Sequence, residues 1–196
     1  MTLSVIAAAV IGYLLGSIPF GLVLARLGGH GDIRRIGSGN IGATNVLRTG
    51  SKALAGLTLV LDIGKGAVAV ALGMAWGEEA ALASAVAVVL GHMFPLWLGF
   101  SGGKGLATAF GVLIMLSWPV AAAAGAIWLA TALLTQYSSL AALLGAAAGA
   151  VLAGLFTDRA DAVVIAGIAV LVIARHHANI RRLIEGRESR ISFRKG

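Results

Sequence analysis

The chain contains no cysteine, which excludes a disulfide framework, thiolate metal sites and a cysteine nucleophile. It is also poor in charge. Only 12% of its 196 residues are charged, about half the roughly 25% of ordinary globular chains. Hydrophobic residues make up 59%. Water could not solvate such a surface, so a soluble globule and a disordered chain are both excluded. Charge is missing altogether from residues 105–157. What remains is an all-α polytopic membrane protein. Its net charge of +7 would suggest a nucleic-acid partner in a soluble protein. In a membrane protein it reports basic cytoplasmic loops, and no nucleic acid is expected.

No charged side chain precedes Arg26. A signal peptide would begin with a basic region and have a shorter apolar core, so residues 1–25 read as a retained span. Further spans are expected at about 53–76, 80–97 and 162–174. A crossing needs about 20 residues, with about 17 the lower limit, so the uncharged stretch holds two or three. Trp118-Pro119 and Gln136-Tyr137-Ser138-Ser139 are the natural breaks, which gives three. Charge settles the parity. With three, the Arg and Lys at 26, 34, 35, 48, 52, 104, 175, 181, 182, 187, 190, 194 and 195 share one side. The opposite loops hold Glu78, Glu79, Asp158, Asp161 and only Arg159. With two, the basic tail would lie outside, against the positive-inside tendency. The expectation is one integral-membrane domain over residues 1–196 with seven transmembrane helices, N-terminus out and C-terminus in. Gly12/Gly16 and Gly145/Gly149 have the small-xxx-small spacing that lets helices approach closely in lipid. Trp76, Trp97 and Trp118 fall at span ends, as interfacial anchors should. Trp128 falls mid-span and has no evident task.

Polar residues gather in three places, all on the side expected to be cytoplasmic. The first is Gly37-Ser38-Gly39-Asn40-Ile41-Gly42-Ala43-Thr44-Asn45-Val46-Leu47-Arg48. Its glycines permit close backbone approach, and Ser, Asn, Thr and Arg supply hydrogen bonds to an oxyanion. The second is Gly91-His92-Met93-Phe94-Pro95, followed by Phe100-Ser101-Gly102-Gly103-Lys104-Gly105. Glycines around a lysine at the start of a helix make an anion cradle, with backbone donors and the helix N-terminus facing phosphate. It is not a P-loop, because Leu98 and Gly105 stand where Gly and Ser or Thr would be needed. His92 could serve this site or merely hydrogen-bond within the bundle. The third is Arg175-His176-His177-Ala178-Asn179-Ile180-Arg181-Arg182. On a continuous helix His176 and Asn179 would be neighbours, with Arg175, Asn179 and Arg182 along one face. Adjacent histidines point apart and no carboxylate sits at ligand spacing, so no metal is expected. The run from Ala162 to Ala174 is about 20 Å of helix, short of a hydrocarbon core of about 30 Å. Arg175, His176 and Asn179 should therefore lie recessed, where polar side chains signal function. Asp62 and Lys65, in the second span, are expected to pair with each other or with this site.

These three motifs, in this order and spacing, make the chain resemble the bacterial acyl-phosphate:glycerol-3-phosphate acyltransferase (PlsY) family over essentially its full length. The resemblance implies a seven-helix enzyme of the bacterial inner membrane, N-terminus periplasmic, C-terminus and active site cytoplasmic. It would transfer an acyl group from acyl phosphate to the 1-position of glycerol 3-phosphate, giving lysophosphatidic acid and phosphate, the first step of phospholipid synthesis. Ser38, Arg48, Lys104, His176 and Asn179 would form the catalytic site. Gly39, Asn40, Gly42, Thr44, Asn45, His92, Gly102, Gly103, Gly105 and Arg182 would bind substrate, with the glycines at 102, 103 and 105 receiving acyl phosphate. No cofactor is implied. Its partners would be the two substrates, membrane lipid and the soluble enzyme that makes acyl phosphate.

The residues suit that chemistry. Acyl phosphate is already an activated mixed anhydride, so what remains is to screen two phosphates, orient a hydroxyl and stabilise an oxyanion. The base could be His176 or the phosphate of glycerol 3-phosphate itself, with substrate assistance preferred. A Ser38 acyl-enzyme is unnecessary with so reactive a donor. A transporter of a phosphorylated solute would also use glycines and cations, but near the midplane and open to both sides. Sidedness is checked by cysteine labelling in intact cells. Cysteines introduced at Glu79 and beside Asp158 should react with an impermeant reagent from outside, and those near Gly39 and Lys104 should not.

Overall fold

The computed structural model describes residues 2–191. Arg194 and Lys195, counted above in the basic tail, lie outside them. The described residues are helical with no strand, and the chain forms two compact units divided between Leu116 and Ser117.

The first unit contains α1 (Leu3–Gly16), α2 (Phe20–Leu27), the short α3 (Ala43–Val46), α4 (Lys52–Met74), α5 (Glu78–Met93) and α6 (Leu106–Leu116). Pro19 separates α1 from α2, because it lacks an N–H and disfavours helix at the residue before it. The Ser51 hydroxyl caps α4 by accepting from the Leu54 N–H, one of the donors a helix start leaves unpaired. Antiparallel packing joins α4 and α5: a Cβ on Gly73 would meet Ala81, and Ser84 Oγ donates to Ala69 O at 2.7 Å. Consequently the loop before α4 and the loop after α5 leave the unit at the same end.

Lipid offers helices no hydrophobic reason to associate, so contact depends on how closely backbones can approach. Gly12 and Gly16 face α5, where added Cβ atoms would lie 2.7 Å from Ser84 Oγ and 2.1 Å from Val88 O. The α4–α6 crossing is as close, with Gly66 against Thr108 O and Gly111 against Ile63 O at 2.2 and 1.9 Å. The small-residue spacing at 12 and 16 thus serves packing within the bundle. Outward positions such as Val60 and Val68 are exposed and apolar, as a lipid-facing surface requires.

The second unit contains α7 (Trp118–Thr135), α8 (Ser138–Phe156), α9 (Arg159–Arg175) and α10 (His177–Ile184). Pro119 sits in the first turn of α7, where its missing N–H costs nothing. Asp158 caps α9 by accepting from the Ala160 and Asp161 N–H groups at 2.8 and 2.9 Å. Both breaks expected in the uncharged stretch fall where Trp118-Pro119 and Gln136–Ser139 placed them. Trp128 now has a setting: it packs on Gly145 of α8, where a Cβ would lie 3.3 Å from the tryptophan Cβ and 3.7 Å from the indole Cδ1. Trp76, Trp97 and Trp118 are all exposed.

Among the described residues, five helical segments are long and apolar enough to cross a membrane: Leu3–Leu27, Lys52–Met74, Glu78–Leu98, Trp118–Thr135 and Ser138–Phe156. The α9–α10 pair, bent by 58°, makes a sixth if taken as one span. At 11 residues, α6 is only about 17 Å long.

Candidate active site

In the first unit, the segment from Gly37 to Arg48 is a tightly folded loop. Gly37 and Gly39 have φ of +54° and +70°, a region that L-residues rarely adopt. Gly37 is needed a second time, because a Cβ there would lie 2.4 Å from Arg48 Nη1 and 2.5 Å from Asn45 Oδ1. The Arg48 side chain therefore lies across Gly37, carried by a 3-10 turn over Leu47–Thr49. Asn45 is 1% exposed and braces the loop at both ends of its amide. Its Oδ1 accepts from the Ser38 N–H at 3.1 Å, and its Nδ2 donates to Ile33 O at 2.8 Å. Ser38, Gly39, Thr44 and Arg48 are exposed, while Asn40 and Gly42 are half-buried. Of the substrate-binding candidates, Asn45 is thus already engaged with backbone. Upstream, Arg34 and Arg26 both bind Asp32, and the Arg34 hydrogen bonds hold that carboxyl well below the ordinary carboxylate range.

The second loop folds back on the end of α5. Gly102 N–H donates to Met93 O at 3.1 Å and Gly103 N–H to His92 O at 3.0 Å, satisfying carbonyls that a helix end leaves open. Those two amides thus serve the α5 terminus. The first turn of α6 has N–H groups without intrahelical partners, the donors an anion cradle there would use. Gly105, with φ +82°, starts that turn: its carbonyl accepts from the Ala109 N–H at 2.8 Å. Gly103 admits no side chain, since a Cβ would lie 2.0 Å from His92 Nε2.

The third cluster lies in the second unit, and here a single continuous helix was the wrong expectation. The chain bends by 58° between α9 and α10, and His176 sits at the bend. No glycine or proline marks the site. His176 and Asn179 are nonetheless both buried, at 3% and 4% exposure. His176 Nδ1 lies 2.7 Å from Val172 O; a carbonyl only accepts, so Nδ1 is the donor and carries a proton. Asn179 Nδ2 donates to Glu188 Oε1 at 2.7 Å, and its Oδ1 is buried with no hydrogen-bond partner among the described residues.

Glu188, just beyond the third motif, has a role that the sequence alone does not give it. Its carboxylate accepts from Ser139 Oγ at 2.9 Å, from Asn179 Nδ2, and from Arg182 Nε at 2.6 Å. A turn at Gly186, φ +67°, returns the chain to the α7–α8 corner, where Ile191 N–H donates to Gln136 O at 2.7 Å. Arg190 lies over the Tyr137 ring, 5.3 Å from its centroid. Two candidate site residues, Asn179 and Arg182, are therefore held by one carboxylate. Among the described residues no three His, Asp or Glu side chains gather as a metal would require.

Burial alone would raise the Glu188 pKa, but the hydrogen bonds from Asn179, Arg182 and Ser139 outweigh it and the carboxyl is depressed. Its stabilising contribution is therefore complete above the ordinary glutamate value of 4.5 and is lost as pH falls through the lower folded value. Glu188→Ala should lower the melting temperature at neutral pH, each lost charge-assisted bond being worth about 1.5–3 kcal/mol. The gap to wild type should narrow as pH falls below 4.5. Equal melting temperatures at pH 7 would contradict this.

A family model described as glycerol-3-phosphate acyltransferase matches residues 6–186. Relatives bearing that name include one from Brucella anthropi, 53% identical over 97% of this chain and 95% of its own. Another, from Cereibacter sphaeroides, is 55% identical over 96% of this chain and 90% of its own. Among solved structures, the crystal structure of PlsY (YgiH), an integral membrane glycerol 3-phosphate acyltransferase, is similar in two forms. The glycerol 3-phosphate form superposes with a TM-score of 0.92 at 38% identity, covering 96% of each chain. The lysophosphatidic acid form gives 0.89 at 37% identity, covering 95% of each.

Proposed function

The chain belongs to the glycerol-3-phosphate acyltransferase family, and from that premise we propose how its loops carry out the transfer. The protein is an integral-membrane enzyme that acylates glycerol 3-phosphate to lysophosphatidic acid. The observation that carries the reading is the superposition, over nearly the whole chain, on a glycerol 3-phosphate form. In our reading the donor is acyl phosphate, made by a soluble enzyme at the cytoplasmic face, and the acyl group goes to the 1-hydroxyl.

The hydroxyl oxygen attacks the carbonyl carbon of the mixed anhydride. The bond from that carbon to the phosphate oxygen breaks, and phosphate leaves with the electron pair. The hydroxyl proton passes to the phosphate of glycerol 3-phosphate. Protein groups then have positioning and electrostatic work only. Arg48, pinned across Gly37, offers a planar fork to one phosphate, and Lys104 with the first turn of α6 holds the other. Ser38, its backbone braced by Asn45, presents a hydroxyl donor. Asn179 has its Nδ2 committed to Glu188, so its buried Oδ1 is the acceptor that holds the glycerol 2-hydroxyl. His176 orients the substrate from the bend between α9 and α10.

The proposed topology has seven crossings: α1 with α2, α4, α5, α6, α7, α8, and α9. The N-terminus is periplasmic and the C-terminus and site are cytoplasmic, in the bacterial inner membrane. What supports α6 as a short crossing is that its approach runs back along α5, with Gly105 against Met93 and Val89, so the helix starts below the surface.

Steady-state assays of purified variants check the assignment. Lys104→Ala and Arg48→Ala each strip a counter-charge from a phosphate, a loss of about 1.5–3 kcal/mol. Realised in the transition state, that is about a ten- to hundredfold slower reaction. Arg48→Lys should also be poor, because an ammonium cannot reproduce a bidentate fork. His176→Gln should lose less than Lys104→Ala and keep the acid limb of its pH profile. Near-normal turnover by Lys104→Ala would overturn the assignment.

A further inference from the structure

The first unit buries a chain of charged groups that the transfer described above does not use. Asp62 and Lys65, one turn apart on α4, are 2% and 5% exposed. Asp62 Oδ1 meets Lys65 Nζ at 2.7 Å, as an ion pair without the alignment of a hydrogen bond. The ammonium also donates to Ile18 O at 2.9 Å, a carbonyl in the break before Pro19. It stands 5.6 Å above the Phe20 ring centroid. Lys65 therefore neutralises Asp62 and closes the α1–α2 break at once.

Asp62 faces a second partner. His92 Nδ1, in the last turn of α5, lies 3.6 Å from the same carboxylate oxygen, within ion-pair range but too long for a hydrogen bond. A carboxylate there favours a proton on Nδ1 and sets which way the ring turns. The far side of the ring is pressed onto the anion loop, with Nε2 2.0 Å from the place a Gly103 Cβ would take. Its own backbone carbonyl accepts from the Gly103 N–H at 3.0 Å. The imidazole thus forms the floor on which Gly103 lies, one residue before Lys104.

A carboxylate buried in a span is costly unless something requires it. Packing alone would be served as well by an apolar pair, which often costs nothing in stability. A fixed histidine under a glycine loop needs a fixed charge behind it. We propose that Asp62 is a positioning residue for the Gly102–Gly105 loop: it acts through His92, and Lys65 is its neutralising partner. The proposal rests on the reading of that loop as a phosphate site. Asp62 touches neither substrate nor the reacting atoms. Its effect should appear in the binding of whichever phosphorylated substrate the loop holds.

The test compares purified wild type with Asp62→Asn, His92→Gln, their double variant, and Asp62→Asn combined with Lys65→Met. KM for each substrate, kcat and melting temperature are measured for all. Asp62→Asn and His92→Gln should each raise the KM of the same substrate about tenfold, an effect of the order seen when a histidine's orienting partner is removed at metal sites. Values of kcat should change little, and the double variant should be no worse than the poorer single, because both act through one contact. Asp62→Asn with Lys65→Met leaves no buried unpaired charge but takes the donor from Ile18 O, so the raised KM should remain whatever the melting temperature. A lowered melting temperature with unchanged KM values would overturn the proposal, as would multiplying effects in the double variant. So would a normal KM in Asp62→Asn combined with Lys65→Met. Wild type unable to transfer from acyl phosphate would defeat the reading of the loop and this proposal with it. An active wild type with normal Asp62→Asn kinetics would defeat this proposal alone.

Discussion

Inside a bilayer no water is available to solvate a backbone carbonyl or a charge, so each polar group within the spans must find its partner in the protein. The first unit meets that constraint with Lys65, whose ammonium serves Asp62 and the open carbonyl of Ile18 together. Helix breaks are otherwise expensive at this depth. With Ile18 satisfied, α1 can pack against α5 and α2 can turn away over the Gly37–Arg48 loop, where Gly21 lies against Ile41 O. The loop that carries Ser38 and Arg48 is thus seated on a break which Lys65 helps to stabilise.

Close backbone approach does the rest. Gly16 on Val88, Gly66 on Thr108 and Gly111 on Ile63 bring helices to distances that no side chain would allow. In lipid such contacts stand in for the hydrophobic drive of a soluble core. Rigidity at these crossings matters for chemistry that consists of positioning. Two phosphates and one hydroxyl have to be held while an already activated bond exchanges its oxygen. The same logic recurs in the loops, where Gly37 makes room for the Arg48 guanidinium and Gly103 for the His92 ring.

Much of this was legible in the residues, because hydropathy, proline and charge act locally. The breaks at Trp118-Pro119 and Gln136–Ser139 carry their own signals, and the Asp62–Lys65 pair follows from spacing along one helix. The bend at His176 was not legible, since Arg175 to Asn179 contains neither glycine nor proline. Nor was Glu188, whose partners Ser139, Asn179 and Arg182 come together only after the Gly186 turn reverses the chain. A carboxylate following a glycine just beyond a basic helix was the available hint. A glycine-lysine run suggests an anion cradle without showing what the Gly102 and Gly103 amides meet. Which carbonyl ends nearby would claim them depended on how the loop folds onto α5.

The central claim is that the acyl group passes directly from acyl phosphate to glycerol 3-phosphate on this protein alone. Phosphorus NMR on the detergent-purified enzyme with both substrates, and no other protein, tests it most directly. The account predicts that the acyl phosphate resonance decays while inorganic phosphate and lysophosphatidic acid grow in equal amounts, with no comparable product when acyl-CoA replaces the donor. Equal rates from acyl-CoA, or no phosphate release in the presence of both substrates, would contradict it.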